Sequence, residues 1–142
     1  MAGLVATAET EISASPEKVW SALTDPAQIK KYMFGTEVAT DWQPGSPITW
    51  QGEYEGKPYQ DKGEILEVER NRRLRLTHFS AMSGQDDVPE NYHTLTYELE
   101  PRGTGTHLSL SQDNNASDDE VKHSSDNWSA MLTGIKKLVE QG

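Results

Sequence analysis

The sequence predicts an α+β protein in which one face of an antiparallel sheet of six to seven strands is covered by a long C-terminal helix. Three observations indicate this class. Residues 115–141 carry apolar side chains at spacings of three, four and seven, the period of an α-helix. Residues 37–112 alternate between apolar and polar side chains, the period of a strand. The chain opens with one alternating segment followed by two short helical segments.

The opening segment predicts a strand followed by an αα corner. Ser15 is a good N-cap and Pro16 suits the first helical position, so a short helix begins there. Asp25 and Pro26 repeat the same start signal, and we expect the second short helix to end near Tyr32. The strand is predicted over residues 4–12, with one face formed by Leu4, Ala6, Ala8, Thr10 and Ile12.

From Glu37 onwards, turns rich in glycine and proline separate about six further strands. Because short turns join consecutive strands, we expect one antiparallel meander that is apolar on one face only. The turns give an estimate of which residues lie opposite each other. The expected pairs are Tyr54 with Gln60, Val68 with Leu74, His78 with His93, and Leu99 with Thr106.

These pairings sort the inward face into two rows across the sheet. The second row is polar in its middle and should lie beneath the first turns of the final helix. The first row is aliphatic and contains Ile48, Leu66, Leu76, Leu95 and Leu110. The second row contains Trp50, Glu64, His78, His93 and Gln112.

The final helix has well-marked ends and one apolar stripe. Ser117 and Glu120 fit a capping box, in which the serine oxygen accepts the Glu120 N–H and the Glu120 carboxylate accepts the Ser117 N–H. The helix should run back over the sheet from Gln112 towards Gly103, with its second half sealing the core and its first half facing the polar row. The stripe consists of Val121, Trp128, Met131, Leu132, Ile135, Leu138 and Val139.

Composition excludes several classes of function. The chain has 142 residues, which suits one domain over residues 1–142, and its net charge of −10 disfavours nucleic acid. Four arginines between residues 70 and 75 are expected to form a solvated hairpin tip. No apolar run is long enough to span a bilayer and no signal-peptide pattern opens the chain. With no cysteine, the sequence indicates a cytoplasmic protein without a thiolate metal site, and we expect no cofactor.

Three segments together resemble the START-like (SRPBCC) superfamily, and within it the bacterial proteins similar to the C-terminal domain of the activator of the heat-shock-protein ATPase. They are ISASPEKVWSALTDPAQIKKYM, GEILEVERNRRLRLTHF and NWSAMLTGIKKLVE. The resemblance implies a helix-grip fold, in which a curved sheet wraps around the C-terminal helix with a cavity between them. The superfamily includes lipid carriers, hormone receptors, polyketide cyclases and co-chaperone domains, so it implies no single activity.

The polar row allows three interpretations. It forms the polar end of an apolar cavity that orients an amphipathic ligand, or it is a rim where the sheet projects past the helix into water. In the third, Glu64 orients His78 or His93 as a general base. A metal site of the same three side chains would require distances of about 2.0–2.2 Å from all of them, which adjacent strands do not guarantee.

We therefore expect a binding protein rather than an enzyme, whose ligand is a lipid, a fatty acid or an aromatic metabolite. A chaperone-associated or stress-related interaction protein is the first alternative, and an enzyme of the polyketide cyclase or aromatase type is the second. No residue is assigned a catalytic role. The candidate ligand-binding residues are Trp50, Tyr54, Glu64, His78, His93, Tyr97, Gln112, Trp128 and Leu132.

Overall fold

The computed structural model describes residues 4–33, 35–80 and 84–141, except for the side chain of Tyr54. The predicted order of strand, two short helices, six strands and long helix is confirmed in these residues. The strands are β1 (Leu4–Ile12), β2 (Glu37–Ala39), β3 (Pro47–Tyr54), β4 (Lys57–Glu69), β5 (Arg73–His78), β6 (His93–Arg102) and β7 (Gly105–Asn115). The helices are α1 (Pro16–Thr24), α2 (Pro26–Tyr32) and α3 (Asp118–Gln141).

The strands form one antiparallel sheet in the order β1-β7-β6-β5-β4-β3-β2. Strands β2 to β7 are the expected meander, and β1 closes the sheet by pairing with β7. Side chains alternate along β7, where Thr106, Leu108 and Leu110 are almost fully buried. This inward face and the covering helix enclose the core, which is the arrangement of a helix-grip fold.

The two short helices begin where the sequence predicts. The Ser15 Oγ atom accepts the backbone N–H of Lys18 at 3.4 Å, and Asp25 Oδ1 accepts that of Ala27 at 3.0 Å. In each helix a proline follows the cap, where its missing N–H costs no hydrogen bond. Tyr32 ends the second helix, and its hydroxyl donates to the carbonyl oxygen of Ala22 at 2.9 Å.

Only half of the predicted capping box forms at the start of α3. The Glu120 N–H donates to Ser117 Oγ at 3.1 Å, as expected. The prediction that the Glu120 carboxylate accepts the Ser117 N–H is wrong, because this carboxylate reaches one residue further and accepts the N–H of Ala116 at 3.0 Å. Both contacts satisfy backbone donors that the first turn of a helix leaves without partners.

Helix α3 lies over the sheet in the expected direction. Ser124 and Trp128 in its first half bond Gln112 of β7, while Leu132, Ile135 and Val139 are buried in the core. Two side chains fix its C-terminal end to the end of β1. Lys136 Nζ donates to the carbonyl oxygen of Glu11 at 2.7 Å, and Glu140 Oε2 accepts the Ser13 N–H at 2.7 Å.

The estimated pairing is wrong in two hairpins because both turns have only two residues. Tyr54 lies opposite Lys57, and the turn between them has positive φ angles at Glu55 and Gly56, as in a type I′ turn. Trp50 therefore faces Asp61 rather than Glu64. Likewise Arg102 lies opposite Gly105, which pairs Leu99 with Leu108 instead of Thr106 and Leu95 with Gln112. The expected pairs Val68 with Leu74 and His78 with His93 are confirmed.

A bulge in β4 reverses which of its side chains face inward. Ile65 pairs with Leu76 and Glu67 pairs with Arg75, so Leu66 is an extra residue. As a result Ile65 is fully buried and Leu66 is 39% exposed, so the assignment of Leu66 to the inward row is wrong. The same change of face turns Glu64 outward, where its side chain is exposed.

Candidate ligand-binding site

A small cavity of about 40 Å³ lies between the inward face of the sheet and the first half of α3. Four aromatic side chains dominate its wall, with Met33 and Leu95 between them. Thr36, Asp61 and His78 are its polar lining residues. The aromatic residues come from strands β3, β4 and β6 and from helix α3, and they are Trp50, Tyr59, Tyr97 and Trp128.

His78 and Asp61 form a hydrogen-bonded pair in the cavity wall. The His78 Nε2 atom lies 3.0 Å from Asp61 Oδ2, and the side chains are 19% and 15% exposed. Because a carboxylate can only accept, this contact favours a proton on Nε2 and leaves Nδ1 as the free ring nitrogen. The ring is also held edge-on to Trp50, with centroids 4.9 Å apart. The bond to Asp61 and the packing on Trp50 together fix the orientation of the His78 ring in the wall.

A buried polar network holds Trp128 in place. The Trp128 indole N–H donates to Gln112 Oε1 at 3.0 Å. The Gln112 Nε2 atom donates to Asn115 Oδ1 at 2.9 Å and to Ser124 Oγ at 3.1 Å. Since both amide hydrogens and one oxygen lone pair of Gln112 are used within the protein, Gln112 is a positioning residue for Trp128 rather than a wall residue of the cavity.

The hydroxyl of Tyr97 is available to a ligand. Tyr97 lines the cavity, and its hydroxyl has no hydrogen-bond partner among the residues that the structure describes. Burial raises the pKa of Tyr97 well above its ordinary value, so the phenol stays neutral and able to donate. The pKa of Tyr32 is also raised, mainly by burial and secondly by the nearby Tyr97. The Tyr32 hydroxyl already donates a hydrogen bond to the carbonyl oxygen of Ala22.

The structure separates the other predicted site residues from this cavity. His93 lies outside the lining: its Nδ1 atom is 2.8 Å from the carbonyl oxygen of Asp113, and its Nε2 atom is 3.9 Å from Glu120 Oε1. Glu64 faces outward, and Leu132 belongs to the core. The side chain of Tyr54 lies outside the described part of the chain. Glu64 therefore orients neither histidine, and no cluster of metal-ligating side chains occurs in the described residues.

Tyr59 divides the cavity from a larger open groove. This groove has a volume of about 770 Å³, and Tyr59 lines both spaces. The Tyr59 hydroxyl and Thr36 Oγ1 lie 2.9 Å apart in a hydrogen bond. The ring also packs on Gly52, where an added Cβ would lie 2.9 Å from the Tyr59 hydroxyl oxygen. Among the described residues, the boundary between the two spaces is thus the Tyr59 side chain, held by its hydrogen bond to Thr36 and its contact with Gly52.

Sequence reasoning misses Asp61, Tyr59 and Thr36 as lining residues. A usable signal exists for Asp61, because a two-residue turn at Glu55 and Gly56 would place it opposite Trp50. Tyr59, two residues before Asp61, shares this signal and lies opposite Gly52, whereas Thr36 carries no comparable signal. Their proximity depends on how the connection from α2 to β2 returns to the sheet, which side-chain periodicity does not encode.

Comparison with known proteins identifies the family. The model of the family described as Activator of Hsp90 ATPase homolog 1-like protein matches residues 13–140. The chain belongs to this family. No curated protein matches the chain. The family assignment agrees with the START-like, helix-grip arrangement of the sheet and α3.

Solved structures show the same fold. The solution structure of ChR145 from Cytophaga hutchinsonii is 48% identical, with a TM-score of 0.87 over 99% of this chain and 97% of that chain. The crystal structure of MLL2253 from Mesorhizobium loti is 24% identical, with a TM-score of 0.79 over 97% and 98%. The solution structure of the Aha1 dimer from Colwellia psychrerythraea is 20% identical, with a TM-score of 0.74 over 96% of each chain.

The helices carry no membrane-spanning signal. Among the described residues, none of them combines the length and the apolar character needed to cross a bilayer.

Proposed function

We propose that this protein binds a small hydrophobic or amphipathic molecule, such as a lipid, a fatty acid or an aromatic metabolite, between the sheet and α3. The observation that carries the proposal is the small cavity, where the His78–Asp61 pair and the Tyr97 hydroxyl, which has no hydrogen-bond partner among the described residues, lie among aromatic side chains. Ligand sites in proteins combine a mostly apolar wall with a few polar groups that fix orientation. The chain belongs to a family with the helix-grip fold, which often binds ligands, and this supports the proposal. We also propose the cytoplasmic location that the sequence predicts.

The size of the cavity defines what it can hold. Sites for drug-sized ligands have volumes of about 300–1,000 Å³, whereas this cavity has about 40 Å³. It accommodates one polar group of a ligand, and the ligand body extends past Tyr59 into the groove of about 770 Å³. Binding therefore requires the Tyr59 ring to move and its hydrogen bond to Thr36 to break.

The test uses the indole N–H signals of the tryptophans in two-dimensional NMR. Laurate, monoolein and benzylamine are titrated separately, and binding in the cavity should shift the signals of Trp50 and Trp128. Trp20, which is buried but does not line the cavity, is the internal reference. Native mass spectrometry of the purified protein should also show any small molecule that it retains.

Matched variants locate the binding. Leu95→Phe fills the cavity, and Leu99→Phe adds the same volume at another buried position of β6. Each costs about 1–3 kcal/mol of stability by overpacking, so folding is checked first. Only Leu95→Phe should abolish the shifts. Shifts that survive in Leu95→Phe, or the absence of shifts with all three probes, would contradict the proposal.

A second candidate function is interaction with a chaperone, as in a chaperone-associated or stress-related protein. The observation that favours it is the family description, which names an activator of the Hsp90 ATPase. The test is to measure whether the purified protein binds the chaperone and raises its ATPase rate. If the protein neither co-purifies with the chaperone nor stimulates its ATPase, this candidate is removed and the ligand-binding proposal stays intact.

A further inference from the structure

We infer that the polar group bound in the cavity is an organic cation, that is, the ammonium group of an amine attached to an apolar body. The inference rests on the proposed function and narrows its ligand class. It depends on three features: the aromatic wall, the signs of the charges around the two spaces, and the volume of the cavity.

The wall has the composition of an aromatic cage. Trp50, Tyr59, Tyr97 and Trp128 are four of the nine described residues that line it. Ammonium groups are attracted to the negative faces of such rings, most strongly to tryptophan and in sites removed from water. A neutral polar group gains no comparable attraction from the rings.

The charges near the cavity are predominantly negative. Asp61 is the carboxylate of the lining, and it already accepts the Nε2–H of His78. A carboxylate has about four acceptor positions, so it can also accept from an ammonium group. Among the described residues neither the cavity nor the groove is lined by a lysine or an arginine, whereas Glu37 and Glu53 line the groove.

These charges act against an anionic ligand. Two basic residues stand near the groove. Lys57 precedes the lining residue Pro58 and is exposed. Lys30 Nζ lies 3.2 Å from Glu37 Oε1, but both side chains are more than half exposed and the pair is weakened by solvent. Glu53 retains an exposed position in the groove. The net charge of −10 also attracts cations from a distance and repels anions.

The volume fits the same group. The cavity of about 40 Å³ is far smaller than the roughly 300–1,000 Å³ of sites that hold a whole ligand, so it admits a group of only a few atoms. A primary ammonium group is close to water in size, and its three N–H bonds can reach Asp61 and the oxygen of the Tyr97 hydroxyl. The apolar body then lies along Tyr59 in the groove.

The experiment compares three probes that share one body: benzylamine, benzyl alcohol and benzoate. Each is titrated at neutral pH while the Trp50 and Trp128 indole signals are followed. Benzylamine should reach half-saturation at about three- to thirtyfold lower concentration than benzyl alcohol, the range expected for a cation in an aromatic site. Benzoate should bind more weakly than either.

Charge variants separate the local effect from net charge. Asp61→Asn should remove most of the difference in half-saturation concentration between benzylamine and benzyl alcohol. Glu53 is exposed, so Glu53→Gln should fold normally, and it should weaken the binding of benzylamine alone by about two- to threefold. Glu100→Gln removes the same charge from an exposed position outside both spaces and should change nothing.

The outcomes distinguish the two proposals. If benzyl alcohol or benzoate shifts the same signals at the same or lower concentration than benzylamine, the cation inference is wrong and the cavity proposal stands. If benzylamine keeps its full advantage over benzyl alcohol in both Asp61→Asn and Glu53→Gln, the cation inference is also overturned. If none of these three probes shifts either signal, the cation inference is wrong, whereas the cavity proposal fails only if laurate and monoolein also give no shift.

Discussion

Trp128 of the helix and Gln112 of the sheet are joined by an indole N–H that donates to an amide oxygen at 3.0 Å. The amide nitrogen of Gln112 donates in turn to Asn115 and Ser124. This network fixes the first half of α3 above the cavity, and the apolar contacts of the second half close the core. The roof of the proposed site therefore depends on a residue that does not line it.

Replacing Gln112 by alanine should destabilise the protein. The change leaves the indole N–H of Trp128 without its partner, while Asn115 and Ser124 each lose one hydrogen bond and keep the 3.3 Å bond between them, and we expect the free energy of unfolding to fall by about 2–3 kcal/mol. Urea denaturation measures it. Gln60→Ala, at an exposed position of β4, is the control and should stay within about 0.5 kcal/mol of the parent. Equal stabilities of the two variants would show that the network contributes little.

Gly63→Ala should prevent normal folding. An added Cβ would lie 1.7 Å from the carbonyl oxygen of Thr77, which is backbone and cannot move aside without separating β4 from β5. We expect a loss of more than about 3 kcal/mol, measured by thermal and urea denaturation. A folded variant of parental stability would contradict the close approach of these two strands.

Gly52→Ala should instead loosen the boundary between cavity and groove. Its Cβ would meet the end of the Tyr59 side chain at 2.9 Å, and this side chain can move. We expect a folded protein in which Tyr59 leaves Thr36 and probes exchange faster at the Trp50 and Trp128 signals. NMR line shapes measure the exchange rate. Thr36→Val removes the hydrogen bond with little change in volume, so it should also make the probes exchange faster. Slower or unchanged exchange in both variants would contradict this role of Tyr59.

The contact between Glu140 and the end of β1 should make stability depend on pH. Lys136 and the N–H of Ser13 lower the pKa of Glu140, so the charged form is favoured in the folded state. A group with a lowered folded pKa stabilises the protein above its unfolded pKa and ceases to do so as pH falls through the folded value.

Glu140→Gln tests this dependence. The variant should be less stable than the parent at about pH 7, and the difference should be smaller at about pH 3, because the stabilisation is lost as the pH falls through the lowered folded pKa. Urea denaturation at both pH values measures the two differences, with Glu100→Gln as an exposed control. A difference between Glu140→Gln and the parent that is the same at both pH values would contradict the assignment.

Element order and the direction of α3 are predictable from the sequence because they depend on local signals. Each of these signals depends on residues that are close in sequence, within about one or two helical turns or a comparable length of strand. They are the caps at Ser15 and Asp25, the period of the strands and the apolar stripe of α3. Strand pairing is different, since a hairpin one residue shorter than assumed changes every partner along two strands. Asp61 therefore replaces Glu64 opposite Trp50, and Gln112 lies opposite Leu95 instead of His93.

The proposed site could be predicted only in part for the same reason. Trp50, His78, Tyr97 and Trp128 are placed at one cavity because each lies on the inward face of a strand or helix with a clear period. Glu64 is misplaced because a bulge at Leu66 has no sequence signature in this strand. The boundary at Tyr59 and Thr36 arises from tertiary packing alone.

The most direct test of the account is to locate a bound molecule in the protein. Intermolecular nuclear Overhauser effects should be measured between benzylamine at saturation and the assigned side chains. The account predicts contacts from the ammonium-bearing methylene to Trp50, Tyr97 and Trp128, and from the phenyl ring to Tyr59. Saturable binding with contacts only to residues outside the cavity and groove, such as Lys62 and Tyr92 on the outer side of β4 and β5, would contradict it.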